Sequence, residues 1–376
     1  MRIDAVLKSL LAGCLCVAMG QANADLVIGE SSPLSGVAAE TGNALALGAK
    51  VYFDHLNANG GINGQTIKLV VKDDQYQSAL TAQNAKQLIE NDKAIALMSF
   101  YGTANVTDLL ASKQLDKSRI ALVGVYTGAL STRDPFNPYL FHTRAGYHDE
   151  VEKIVSLLSN LGISKVGVMF QRDPFGTAGL DAAKRSLKAH DMQLVATATY
   201  EKGSDDVKEA ATALAKLNPD AVMMISITRP TAAFIKQFRE LGGKSQLFNI
   251  STANYDELIR QDGAPAVAGV GISQVFPSPD ADHLKLIREY RDLLAQHAPS
   301  ARPSYASLEG YINAKVLAEG IRRAGKNPTR EGVIKALDTM KEYDLGNYKV
   351  SFSDKQHQGS KYVELTMLNQ RGELSR

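Results

Sequence analysis

The sequence predicts an α/β protein built of two doubly wound, Rossmann-like lobes, and three observations predict it. Short apolar runs alternate with amphipathic segments of helical period along most of the chain. The alternation forms two series, one on each side of about residue 144. The length, 376 residues, suits two domains at roughly 100–200 residues each. Continuous apolar strands separated by helices of roughly 10–15 residues imply parallel sheets covered on both faces.

Taken in order, residues 26–29 form the first apolar run, closed by the loop Ser31-Ser32-Pro33-Leu34-Ser35-Gly36. A helix follows, with Leu45, Ala49, Tyr52 and Leu56 on one face, and it ends at Asn59-Gly60-Gly61, where glycine supplies the left-handed cap. Residues 67–71 read as a strand, 81–90 as a helix and 94–98 as a strand; 120–125 is a further strand. Past Arg144, strands at 166–170, 193–197, 221–225 and 246–250 alternate with helices at 178–189, 207–217 and 231–241. No internal period recurs and no low-complexity linker separates the halves, so the lobes are expected to be joined by short crossing segments.

Residues 1–24 stand apart from this pattern. Arg2 and Lys8 precede an apolar run from Leu10 to Met19, and Ala22-Asn23-Ala24 reads as a small-x-small cleavage site, so a secretory signal is expected, with a mature chain starting at Asp25. Leu11-Ala12-Gly13-Cys14 resembles a lipoprotein cleavage box, but the apolar run before it is very short, and release is expected over lipid anchoring. Both cysteines, Cys14 and Cys16, fall in this leader, which leaves the mature chain without thiol, disulfide or Cys-bound metal.

The composition excludes several classes. Lys plus Arg (42) nearly balances Asp plus Glu (40), so no basic surplus points to nucleic acid. The histidines form neither HxH nor HExxH, and His148-Asp149-Glu150 reads as the acidic first turn of an exposed helix. Gly242-Gly243-Lys244-Ser245 has Phe238 where a phosphate loop needs its first glycine, and reads as a helix C-terminus. Gly269-Val270-Gly271 lacks a third glycine and reads as strand backbone, and no GxSxG elbow occurs. No catalytic constellation, metal or cofactor is expected.

Polar, small-residue loops lie instead at the carboxyl ends of strands, where open α/β sheets bind ligands. Ser99-Phe100-Tyr101-Gly102-Thr103 follows one strand, and Tyr126-Thr127-Gly128 ends the next. Gly102 lets backbone amides approach a ligand, Thr103 is a candidate N-cap, and the two loops together suit a carboxylate. The alternative is that both threonines only cap helices.

The segments "LVIGESSPLSG", "GGINGQTIKLVVKDDQ", "FYGTAN", "YTGA", "DPFGTAG" and "LEGYINAKVLAEGIRRAG", behind a secretory leader, resemble type I periplasmic solute-binding proteins. The likeness is nearest to the leucine/isoleucine/valine-binding group of ABC importers, and it covers 25–371. It implies lobes joined by three hinge crossings, near 141–146, 273–277 and 348–354. Lobe one then combines 25–143 with 276–350, and lobe two 144–275 with 351–376. It further implies ligand contacts at Tyr101, Gly102, Thr103 and Thr127, with Phe175 and Ser251 from lobe two. The resemblance also implies a lobe-two carboxylate after the strand 246–250 for a ligand ammonium, yet that loop reads Ser251-Thr252-Ala253-Asn254, with no acid before Asp256. Glu40, Asp173 and Glu309 are the other candidate acids. The expected function is a non-enzymatic, monomeric periplasmic protein handing a small carboxylate solute to a membrane permease, an amino acid first and an aromatic or aliphatic acid or amide second. A ligand-sensing module feeding a receptor is the alternative of a different class.

Overall fold

The computed structural model describes residues 25–375, so the expected leader and its cleavage site lie outside the described residues. Among the described residues no helix is long and apolar enough to cross a membrane.

The first lobe opens with β1 (Leu26–Ser32), α1 (Ala39–Ala58), β2 (Ile67–Asp73), α2 (Ser78–Glu90), β3 (Ala96–Met98), α3 (Thr103–Ala111), α4 (Gln114–Ser118), β4 (Leu122–Val123) and β5 (Leu140–Phe141). These strands make one parallel sheet in the order β2-β1-β3-β4-β5. The chain steps one way from β1 to β2 and then returns to the other side of β1 for β3, so the carboxyl ends of β1 and β3 flank a topological switch point.

The second lobe runs through α5 (Tyr147–Asn160), β6 (Lys165–Gln171), α6 (Pro174–Ala189), β7 (Gln193–Tyr200), α7 (Lys208–Leu217), β8 (Ala221–Ile225), α8 (Thr228–Glu240), β9 (Gln246–Asn249), α9 (Tyr255–Asp262), α10 (Ala264–Val267) and β10 (Gly271–Gln274). The chain then returns to the first lobe for α11 (Lys285–His297), α12 (Tyr305–Arg323), α13 (Arg330–Asp338) and the hairpin β11 (Tyr343–Asp344) and β12 (Lys349–Val350). It ends in the second sheet with β13 (Glu364–Leu368) and β14 (Leu374–Ser375), giving the order β14-β13-β10-β9-β8-β6-β7. β13 is antiparallel to β10, and β14, antiparallel to β13, is that sheet's edge.

Three segments pass between the lobes, and the third lies later than expected. Residues 351–359 stay with the first lobe: Phe352 is buried against Phe141 with ring centroids 5.4 Å apart, and His142 exchanges backbone hydrogen bonds with His357 and Gly359 at 2.8 and 2.7 Å. The chain crosses only at 360–363, just before β13. Four local readings also change. The strand expected at 120–125 pairs only over Leu122–Val123, because Gly124 turns at φ 70°. A Cβ there would lie 2.1 Å from the Asn313 side chain, which bonds the Gly124 carbonyl at 2.9 Å. Gly269 turns at φ 77°, so only Gly271 of Gly269-Val270-Gly271 lies on a strand. Thr103 is not the cap of α3; Gly102 holds that position at φ 94°. Glu150, expected on an exposed first turn, is fully buried, while Asp149 accepts from the Gly146 amide at 2.9 Å.

The first core centres on α1 crossing α12. Tyr52 meets Tyr311 edge-on at 5.1 Å, and glycines let the backbones touch. A Cβ on Gly48 would stand 1.8 Å from the Ser307 carbonyl oxygen, and one on Gly310 would stand 2.0 Å from that of Leu45. Alanine is favoured over glycine inside a helix by about 1 kcal/mol, but a backbone atom at that distance cannot yield as a side chain can. Gly310→Ala is therefore expected to destabilise the protein by roughly 1–3 kcal/mol in chemical denaturation; a neutral or stabilising result contradicts this packing.

Candidate functional site

The carboxyl ends of the first-lobe strands face those of the second across a cleft lined by Tyr76, Tyr101, Gly102, Thr103, Tyr126, Tyr147, Phe175, Ile227 and Thr252. The lobes are closed on it, leaving about 10 Å³ of free space, room for about one water. A wider groove of about 600 Å³ lies between Leu130 and the start of α6, but it is open and borders the outside of the cleft.

Each lining side chain has a local cause. Gly102 adopts φ 94°, which re-aims the chain after β3 so that α3 starts at Thr103 with its amides toward the cleft. A Cβ at Gly102 would meet the Tyr76 ring at 2.7 Å, so glycine also makes room for that ring. Thr103 and Thr127 are buried, and their hydroxyls bond each other at 2.7 Å. Thr103 makes no capping bond, whereas Thr127 accepts from the Ala129 amide at 3.2 Å. The Tyr147 hydroxyl lies within hydrogen-bonding reach of both threonines. Tyr101 stacks on Tyr126 at 4.8 Å and 8° and meets Tyr76 edge-on at 5.3 Å, while Phe175 tilts against Tyr147 at 5.5 Å.

The structure thus gathers Tyr101, Gly102, Thr103 and Phe175 around one small space; Thr127 is not in the lining and stands behind it, bonded to Thr103. Ser251 stands aside from that space. Its hydroxyl accepts from Arg144, its amide donates to Glu150 at 2.7 Å, and its carbonyl accepts from the Tyr126 hydroxyl at 3.1 Å, so all its polar atoms are engaged and Thr252 lines the cleft instead. Sequence reasoning missed Tyr76, Tyr126, Tyr147, Ile227 and Thr252. Tyr76, Tyr126 and Tyr147 each stand just beyond a strand end or a crossing, the signal that found Thr103, but an aromatic residue there reads equally well as core.

Of the acids considered for a ligand ammonium, Glu40 and Glu309 are paired elsewhere, while Asp173 keeps one buried oxygen, Oδ2, without a partner and outside the cleft lining. Glu40 pairs with Arg260 across the rim, linking α1 to α9. Asp173 caps α6, accepting from the Gly176 amide at 3.1 Å. Glu309 faces Arg144 at 3.4 Å, away from the cleft lining. The nearest cations instead cover tyrosine faces: Lys202 lies 4.2 Å from the Tyr76 ring centre and Arg144 lies 4.5 Å from that of Tyr126. Among the described residues no group of acids and histidines could hold a metal.

Two α/β lobes joined by three strands of chain and closed on a buried cleft at both switch points are the architecture of a hinged trap. A model of the periplasmic binding protein family matches residues 25–373. The chain belongs to that family. The fold is similar to that of a substrate-binding periplasmic protein from Ralstonia solanacearum, with 37% identity, a TM-score of 0.90, and coverage of 93% of this chain and 99% of that one. It is also similar, at 26% identity over 92% of this chain and 91% of the relative, to Leu/Ile/Val-binding protein homolog 2 of Brucella abortus. An amino acid binding protein of Pseudomonas aeruginosa is 25% identical over 92% of this chain and 94% of its own length. The resemblance to the leucine/isoleucine/valine-binding group therefore holds along the whole described chain.

In this periplasmic binding protein the hinge carries a buried charge. Arg144, in the first crossing, is fully buried and meets Glu309 of α12 in the first lobe at 3.4 Å and Glu150 of α5 in the second at 3.7 Å. Glu150 also accepts from the Ser273 hydroxyl at 2.7 Å, beside the second crossing. Two carboxylates share one guanidinium, and Glu150 has the better hydrogen bonds. Burial pushes the Glu309 carboxyl up to about 7, against the pull of Arg144 and with the Glu150 charge adding to the rise.

A carboxyl whose folded pKa is raised binds its proton more tightly in the folded state. Its stabilising contribution is present below the ordinary carboxylate range and is lost as pH rises through about 7. Denaturation midpoints at pH 5 and pH 8 are therefore expected to differ more in the wild type than in Glu309→Gln, the wild type losing stability at the higher pH. Equal differences in the two proteins contradict this placement of the proton.

Proposed function

We propose that this protein is the solute-binding component of an ABC importer, acting in the periplasm. It takes a small carboxylate-bearing solute into the inter-lobe cleft and presents the closed form to a membrane permease. One observation carries the solute class: the Thr103 hydroxyl stands at the N-terminus of α3 in a lining that contains no carboxylate, with the Thr127 hydroxyl bonded directly behind it. Hydroxyls and helix N-terminal amides donate to an anion, and trading one hydroxyl–hydroxyl bond for two bonds to a carboxylate favours binding.

The same lining supports an acid without an ammonium group. Burying an ammonium unpaired is costly, Glu40 and Glu309 are engaged elsewhere, Asp173 lies outside the cleft lining, and Lys202 and Arg144 add positive charge beside the rings. The tyrosines and Phe175 suit an apolar, flat body. An α-amino acid is the second reading, favoured by the names of the Brucella and Pseudomonas relatives.

A thermal-shift screen of aromatic acids, aliphatic acids and amino acids tests both, because a ligand at about 100 times its dissociation constant stabilises by about 2.7 kcal/mol. Aromatic or aliphatic acids are expected to raise the melting temperature; a shift by leucine, isoleucine or valine alone restores the second reading. Thr103→Ala and Thr127→Ala are each expected to weaken the best carboxylate roughly ten- to a hundredfold in calorimetry. Unchanged affinity in both variants removes the threonines from the site.

A further inference from the structure

The cleft holds four tyrosine rings, and three of their hydroxyls are engaged. Tyr126 donates to the Ser251 carbonyl at 3.1 Å. Tyr76 accepts from the Gln171 side-chain amide at 3.0 Å. Tyr147 reaches the two threonines. Tyr101 differs: it is 1% exposed, it lines the cleft, and its hydroxyl has no hydrogen-bond partner. Its ring is fixed between Tyr126, stacked on one side, and Tyr76, edge-on, so the hydroxyl cannot swing out to solvent. A buried hydroxyl left unpaired costs roughly 1–3 kcal/mol, and a rigid one beside a ligand space is a reader of ligand polarity.

We infer that Tyr101 selects solutes carrying a hydroxyl at a distance from the carboxylate, so that the preferred ligand class is a hydroxylated carboxylic acid. The inference rests on the carboxylate reading above. Thr103 and Thr127 hold the acid end; Tyr101, on the same strand-end loop as Thr103, meets the hydroxyl. A neutral hydroxyl fits better than a second carboxylate for an electrostatic reason. The Glu257 carboxyl of α9 acts on the Tyr101 hydroxyl, and its negative charge opposes another anion there. Glu257 is itself held by Gln261, which donates to it at 3.0 Å. A ligand hydroxyl both accepts from Tyr101 and retains a proton to donate, which this surrounding favours.

The test uses matched pairs of acids differing by one hydroxyl: benzoate with 4-hydroxybenzoate, 3-phenylpropanoate with 3-(4-hydroxyphenyl)propanoate, and pentanoate with 5-hydroxypentanoate. Each is titrated calorimetrically into the wild type and Tyr101→Phe, with melting curves to establish that the variant folds. In at least one pair the hydroxylated member is expected to bind the wild type about tenfold more tightly than its partner. In Tyr101→Phe that advantage is expected to vanish. An advantage that persists in Tyr101→Phe overturns the inference. So does binding of plain acids with no hydroxyl advantage in any pair, which leaves Tyr101 paired with water only. Failure of every acid to bind rejects the carboxylate reading itself, and the inference with it.

Discussion

A buried guanidinium at the crossing of two lobes sets the geometry of this protein. Arg144 has no solvent contact, and its charge is met from both sides at once, by Glu309 of the first lobe and by Glu150 and Ser251 of the second. Removing one partner of such a group leaves a charge uncompensated in a low-dielectric setting, so the contacts are strongly held together. The same guanidinium lies over Tyr126, whose hydroxyl bonds Ser251. The wall of the cleft is thereby tied to the hinge.

Closure is written in a small number of contacts that join one lobe to the other away from the hinge. Gln171 of β6 reaches Tyr76, Lys202 donates to Asn105 of α3 at 2.9 Å, and Arg260 pairs with Glu40 at the rim. Behind Asn105 the polar chain continues through Thr81 to the buried Asp74, at 2.8 and 2.9 Å. These contacts are polar and close to the surface of the cleft, so opening exchanges them for water at little net free energy, as a trap that must release its cargo requires. The α1–α12 packing, by contrast, is glycine-mediated and lies wholly within the first lobe.

Much of the fold was legible because its signals are local. Runs such as 221–225 are buried on both faces of a sheet and read as strands without help from the rest of the chain. Glycine after a helix, as at Gly60 and Gly242, needs only the left-handed turn it makes. What failed to read is non-local. Residues 351–359 look like the start of a return to the second lobe, yet Phe352 is retained by Phe141, far away in sequence. Glu150 has the pattern of a first-turn acid, and only Arg144, Ser251 and Ser273 folded against it make a buried anion tenable. The place of Thr103 in the cleft lining reads from its strand-end loop, whereas that of Tyr76, Tyr126 and Tyr147 does not, since nothing in a sequence tells an aromatic that lines a cleft from one that fills a core.

A crystal structure of the protein with the tightest-binding carboxylate from the screen tests the account most directly. The carboxylate oxygens are predicted to lie within hydrogen-bond distance, about 2.5–3.0 Å, of the Thr103 and Thr127 hydroxyls, with the solute's body between Tyr101, Tyr126, Tyr147 and Phe175. A carboxylate bound elsewhere, or one whose oxygens meet neither threonine, contradicts it.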